Sequence, residues 1–185
     1  MIERVNTKAR SDRYGSRLNR AHSPVIAYAV PVATILLGSF LPFFAIAGAA
    51  PYIPPFGFLM LLCWRSLQPG LFPIWIGFPL GLFDDLFSGQ PFGSAILLWS
   101  LTMIAFEMID TRFPWRSFWQ DWMTVAMFTT LYIVLAAVVS GGELSVPGLV
   151  AIVPQIVFSI FAFPLLARIV ASFDRFRLLR WRRLG

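Results

Sequence analysis

One cysteine, Cys63, and one histidine, His22, are all that 185 residues contain of either type. A lone thiol excludes an internal disulfide and leaves the redox compartment unread. A lone histidine in a polar stretch leaves no His-Glu-x-x-His helix, no metal-ligating cluster and no base for an intramembrane serine nucleophile. No phosphate-binding glycine loop and no nucleophile elbow occurs either. Charge is scarce as well: 13% of residues are charged, against roughly 25% in a soluble domain. Basic residues are missing from long stretches, with neither Lys nor Arg between Arg20 and Arg65, Arg65 and Arg112, or Arg116 and Arg168.

What is abundant is apolar. Hydrophobic residues make up 58% of the chain, with 19 Phe and 7 Trp, and mean hydropathy is +0.73. A single soluble core could not hide so much apolar surface, so the solvent must be a bilayer. Rings in this number suit lipid packing and the membrane interface. The formal charge of +6 does not point to nucleic acid, because the basic residues lie at the chain ends and in short turns rather than on an aromatic-and-basic face.

Punctuation divides the chain into six apolar runs, and the expected class is an all-α membrane protein with six transmembrane helices. Residues 1–22 form a basic tail with Arg4, Lys8, Arg10, Arg13, Arg17 and Arg20, unable to build a core. Residues 23–171 form the transmembrane domain. Its runs are expected at Val25–Ala47, Tyr52–Trp64, Leu71–Phe87, Phe92–Met108, Trp119–Val139 and Val146–Ile169. Residues 172–185 form a second basic tail. Ala45-Ile46-Ala47-Gly48 resembles a signal-peptidase site, but the run before it is about twice the length of a signal-peptide core, so an uncleaved anchor is expected. The second run is short, at ~20 Å for a straight helix. Pro73 and Pro79 are expected to kink the third.

Six crossings with both termini inside put all 15 basic residues on one side: the two tails plus Arg65, Arg112, Arg116 and Arg168. The outer loops then carry only Asp84, Asp85 and Glu143. This is the positive-inside pattern. A five-span arrangement breaks it.

The most informative stretch runs from Gly77 to Ala95. Gly77, Gly81, Asp85, Gly89 and Gly93 recur at every fourth position. That spacing stacks residues on one helix face, where glycines let backbones approach closely in lipid. Pro91 interrupts any single helix through all five, so Gly89 and Gly93 are expected to shape the turn and start the fourth span. A carboxylate at membrane depth is costly and needs a partner. Asp85 is expected to take hydrogen bonds from a neighbouring helix or a basic group from a partner, the alternative being a helix terminus in headgroup water. For Asp84, rotated ~100° away, the headgroup reading is the expectation.

Other polar residues have plainer readings. Glu107 and Asp110 are three apart with Arg112 and Arg116 close by, and a pairing that neutralises Glu107 is expected; a proton relay would need a second buried acid or His, which no other span supplies. Arg65 and Arg168 are expected to snorkel as topology anchors. Arg175, Arg177, Arg180, Trp181, Arg182 and Arg183 mix charge with rings, as an inner-leaflet helix does; docking of a cytoplasmic protein is the alternative. Asp84/Asp85 and Asp110/Asp121 fall at opposite faces, which excludes an intramembrane aspartyl dyad. No catalytic residue, metal or cofactor is expected, and the chain reads as a non-enzyme.

Through Gly81-x3-Asp85-x3-Gly89-x-Pro91-x-Gly93-x-Ala95 at the third-to-fourth junction, the chain resembles the rod shape-determining protein MreD family. The layout agrees over Val25–Ile169, and the motif is specific over Gly81–Leu98. The resemblance implies a non-catalytic inner-membrane scaffold of the bacterial cell-elongation machinery, multi-pass with both termini cytoplasmic. It would bind membrane lipids and the single-span protein MreC. Through MreC it would link MreB filaments to a peptidoglycan glycosyltransferase and transpeptidase. It also implies a fold similar to the substrate-binding component of energy-coupling-factor transporters, a glycine face receiving a partner helix, and an Asp85 that fixes the turn. The rival reading is a small-molecule (vitamin) binding component of such a transporter. A third is a lipid or small-substrate transporter acting alone, disfavoured by the absence of two similar inverted halves.

Overall fold

A computed structural model describes residues 20–21, 24–44, 53–113, 117–141, 146–177 and 182–183. The described residues form a bundle of six helices: α1 (Pro24–Phe40), α2 (Phe56–Leu67), α3 (Gly77–Phe87), α4 (Ser94–Arg112), α5 (Phe118–Val139) and α6 (Val146–Arg177). Short 3₁₀ turns follow α1 at Leu41–Phe44 and precede α3 at Ile74–Ile76.

Successive helices run in opposite directions, as the contacts at their ends show. One end of the bundle gathers the C-terminal ends of α2, α4 and α6. There Arg65 meets Glu107 and Asp110, and Gln68 donates to Asp174. The start of α1 lies there too, since Arg177 donates to the Ala27 carbonyl. Arg20–Ala21 pairs antiparallel with Arg182–Arg183, which brings the two basic chain ends together. The opposite end gathers the end of α1, the start of α2 and the α3–α4 turn.

Among the described residues three helices, α4, α5 and α6, are long and apolar enough to cross a membrane. The others fall short of six full-length crossings. α2 has 12 residues and α3 has 11, about 16–18 Å each against a hydrocarbon core of ~30 Å. Turn residues set these limits. Pro54 and Pro55 hold the chain out of helix until Phe56, and Pro73 starts a 3₁₀ turn instead of α-helix. Pro79 does not kink α3; it lies in the first turn, where a missing N–H removes no helical bond. α6 is the longest at 32 residues and continues to Arg177, beyond the expected end at Ile169.

α2 is the hub. Phe58, Leu59, Leu61, Leu62, Cys63, Trp64 and Arg65 are all essentially inaccessible, so this helix is covered on every side by its neighbours. Phe58 stacks on Tyr132 with ring centroids 4.2 Å apart, joining α2 to α5. The outer helices are apolar on both faces. On α4, Trp99, Met103 and Phe106 face the core while Leu97, Leu101, Ile104 and Met108 are exposed. Such exposed stripes suit lipid rather than water.

Two interior prolines are accommodated by side chains. Pro31 and Pro164 lack the N–H that would bond the carbonyl four residues earlier. Those carbonyls belong to Ala27 and Ile160. Arg177 Nη1 donates to the first at 3.0 Å and Trp122 Nε1 to the second at 3.0 Å.

Candidate functional site

The α3–α4 hairpin is where the glycine pattern becomes geometry. Gly77 and Gly81 lie one turn apart on α3, facing α4. A Cβ on Gly81 would lie 2.7 Å from the Ala95 carbonyl oxygen and 2.8 Å from the Ile96 Cα; one on Gly77 would lie 2.9 Å from the Trp99 carbonyl oxygen. These neighbours are backbone, so nothing can swing aside. The occupant of the glycine face of α3 is therefore α4 of the same chain, which leaves no room there for a helix from another protein.

Asp85 continues that face and points at the start of α4. Its carboxylate accepts the backbone N–H groups of Gly93 at 2.9 Å, Ala95 at 2.8 Å and Ile96 at 3.2 Å, and the Ser94 hydroxyl at 3.3 Å. The first turn of a helix leaves N–H groups without intrahelical partners and carries partial positive charge. A carboxylate reaching over from the preceding helix answers both, and Asp85 is buried in doing so. Ala95 is fully buried beneath it.

The turn needs its glycines for backbone reasons. Gly89 has φ +69° and Gly93 φ +96°, and a Cβ on either would meet nothing within 4 Å. Both adopt the left-handed region that favours glycine. Pro91 sits between them, its carbonyl accepting the Ser94 N–H at 3.0 Å.

Asp84 differs from expectation. It is buried at 8% exposure and lines a cavity of about 230 Å³ with Ser39, Gly57, Ser88, Gln90, Tyr132 and Gln155. The rotation away from the glycine face turns it into the bundle, because α1 and α5 close over that side of α3. A second cavity, of about 170 Å³, shares Gln90, Tyr132 and Gln155.

At the other end, Arg65 does not snorkel. It is 1% exposed, pairs with Glu107, and lies 3.0 Å from Asp110 Oδ2. Arg112, the expected partner, is exposed, and Arg116 lies outside the described residues. The reason is the central position of α2, which leaves Arg65 no route to water.

The C-terminal arginines also divide. Arg175 is exposed, whereas Arg177 is buried. Arg177 pairs with Asp174 at 2.7 Å and lies over the Trp64 ring at 5.4 Å, an attractive cation–ring geometry. It faces the protein, not a lipid headgroup. Arg182 and Arg183 take part in the backbone pairing with Ala21 and Arg20; Arg180 and Trp181 lie outside the described residues.

Sequence reasoning missed Gly38 and Gly57. A Cβ on Gly38 would lie 3.0 Å from the Gly57 backbone, so α1 and α2 cross here nearly backbone to backbone. The two stand on different helices, and no single-helix period could link them. A lone glycine in each apolar run was the only trace.

Over residues 23–177 the chain matches the family model described as rod shape-determining protein MreD. No curated protein and no solved structure matches it. A match over most of the chain, with apolar helices arranged for a bilayer, is decisive: the chain belongs to the MreD family of rod shape-determining proteins.

Proposed function

We propose that this protein is a non-catalytic, six-span scaffold in the bacterial inner membrane that binds MreC and so couples MreB filaments to peptidoglycan synthesis. Both termini are cytoplasmic in this reading, which agrees with the gathering of Arg20 and Arg182–Arg183 at one end and the basic-free connections at the other. The short helices α2 and α3 complete their crossings through the 3₁₀ and turn segments beside them and a locally thinned bilayer.

The observation that carries this proposal is the Asp85 cap. It welds α3 to α4 with four hydrogen bonds over a glycine contact, giving a preorganised hairpin, and preorganisation lowers the cost of binding. The family motif serves the shape of the platform, and MreC meets the platform's outer surface. Copurification with MreC tests it. Asp85→Leu and Gly89→Leu should insert in the membrane yet recover less MreC. Recovery equal to wild type for both would remove the assignment.

The small-molecule reading is favoured by one observation, the polar cavity around Asp84. Ligand sites are concave and carry a few convergent polar groups. A vitamin retained through purification would support this reading, together with the proposed likeness to energy-coupling-factor components.

A further inference from the structure

The cavity at the α3–α4 end contains a buried acid, Asp84. Asp84 is 8% exposed and has no ion pair among the described residues. The sequence supplies none nearby, since no Lys or Arg occurs in the connections between α1 and α2, α3 and α4, or α5 and α6. An unpaired buried carboxylate is costly, and more so at membrane depth.

The other lining groups include oxygens with lone pairs left to accept. Ser39 is 3% exposed; its Oγ lies toward Asp84 but makes no formed hydrogen bond to any described group. Gly57 clears its space, because a Cβ there would collide with that oxygen. Gln155 donates Nε2 to the Ile53 carbonyl at 2.8 Å, which leaves its carbonyl oxygen for the cavity. Tyr132 adds a phenol oxygen to the wall.

The cavity is also recessed. Tyr132 lies seven residues before the end of α5, and Gln155 nine after the start of α6. At 1.5 Å per residue these rims rise ~10–13 Å above the site. A ligand must therefore be small or carried on a slender stem.

We propose that this cavity binds a primary ammonium group, with the Asp84 carboxylate as counter-charge and the Ser39, Tyr132 and Gln155 oxygens accepting its N–H groups. An ammonium offers three donors and no acceptor, which suits a carboxylate flanked by the Ser39, Tyr132 and Gln155 oxygens. The group belongs either to a soluble amine or to the ethanolamine headgroup of a lipid. This assignment is independent of MreC binding, and loss of either leaves the other standing.

The test uses the full chain in nanodiscs of phosphatidylcholine and phosphatidylglycerol, which contain no ethanolamine headgroup, with ethanolamine as probe and choline as control. Calorimetry should show saturable ethanolamine binding, weakened about tenfold or more in Asp84→Asn and Ser39→Ala, and none of choline, which has no N–H. That result supports a soluble amine. If ethanolamine is silent but phosphatidylethanolamine nanodiscs raise the unfolding temperature of wild type and not of the variants, the lipid is the source. No response of wild type to either, equal binding of choline, or binding unchanged in the variants overturns the proposal. Should Asp84→Asn fail to fold, Ser39→Ala decides, because its hydroxyl makes no formed hydrogen bond to lose.

Discussion

Arg177 donates to the Ala27 carbonyl at 3.0 Å, the same carbonyl that Pro31 deprives of a helical partner. A residue of the last turn of α6 thereby repairs a defect near the start of α1. Restoring the N–H with Pro31→Ala should make the repair redundant. Arg177→Ala should therefore cost more stability in wild type than in the Pro31→Ala background, by about 1 kcal/mol. Thermal unfolding of the four proteins in detergent measures that coupling; additive effects would refute it. Arg175→Ala, at an exposed position, should stay within about 0.5 kcal/mol of wild type.

Asp85→Ala strips the first turn of α4 of its acceptor, and buried donors without partners are costly. A loss of about 2–4 kcal/mol is expected. Asp85→Asn retains one oxygen but not the charge, and should lose about half as much. Chemical or thermal unfolding ranks the three proteins, and hydrogen exchange at Gly93, Ala95 and Ile96 should accelerate in the same order.

Gly81→Ala places a methyl 2.7 Å from the Ala95 carbonyl oxygen, so α3 and α4 must separate. About 1–3 kcal/mol is expected, as in other overpacked contacts. Gly89→Ala meets no atom within 4 Å, and its cost of about 1 kcal/mol comes from a positive φ. Cross-linking between cysteines on α3 and α4 distinguishes the two: Gly81→Ala should weaken it and Gly89→Ala should not.

Removing Arg65 leaves Glu107 and Asp110 without the guanidinium that meets both. Arg65→Ala should cost about 3–5 kcal/mol, as when one member of a buried ion pair is deleted. Glu107→Gln should be milder, because that side chain is 39% exposed and Asp110 still faces Arg65. Expression and unfolding temperature report the difference.

The proposed orientation has its own check. Cys63 is fully buried, so it gives a silent background for thiol labelling. Ser140→Cys should label from outside intact cells, and Ser172→Cys only after permeabilisation. The reverse pattern would invert the topology.

Much of the architecture was legible because its causes are local. Composition dictated the bilayer, Pro and Gly placed the breaks, and the α3–α4 boundary could be drawn from Gly89-Gln90-Pro91. The turn motif was readable for the same reason: its glycines answer to backbone conformation within a few residues. Asp84 and Arg65 were not readable. Each looked like an ordinary interfacial charge at a span end, and burial came from helices distant in sequence. Asp84 stands beside Ser39 and Tyr132; Arg65 sits on a helix packed against α1, α5 and α6, with its guanidinium turned to acids of α4.

Membrane residence, six apolar segments and membership of a shape-determining family were therefore settled by residue type and order, since transfer free energy and turn chemistry act along the chain. Which glycines touch a neighbour, which acid caps a helix and which acid faces a cavity depended on how the helices rotate and cross. Adjacent residues such as Asp84 and Asp85 differ by ~100° around the axis, and that angle acquires meaning once α1, α4 and α5 are in place around it.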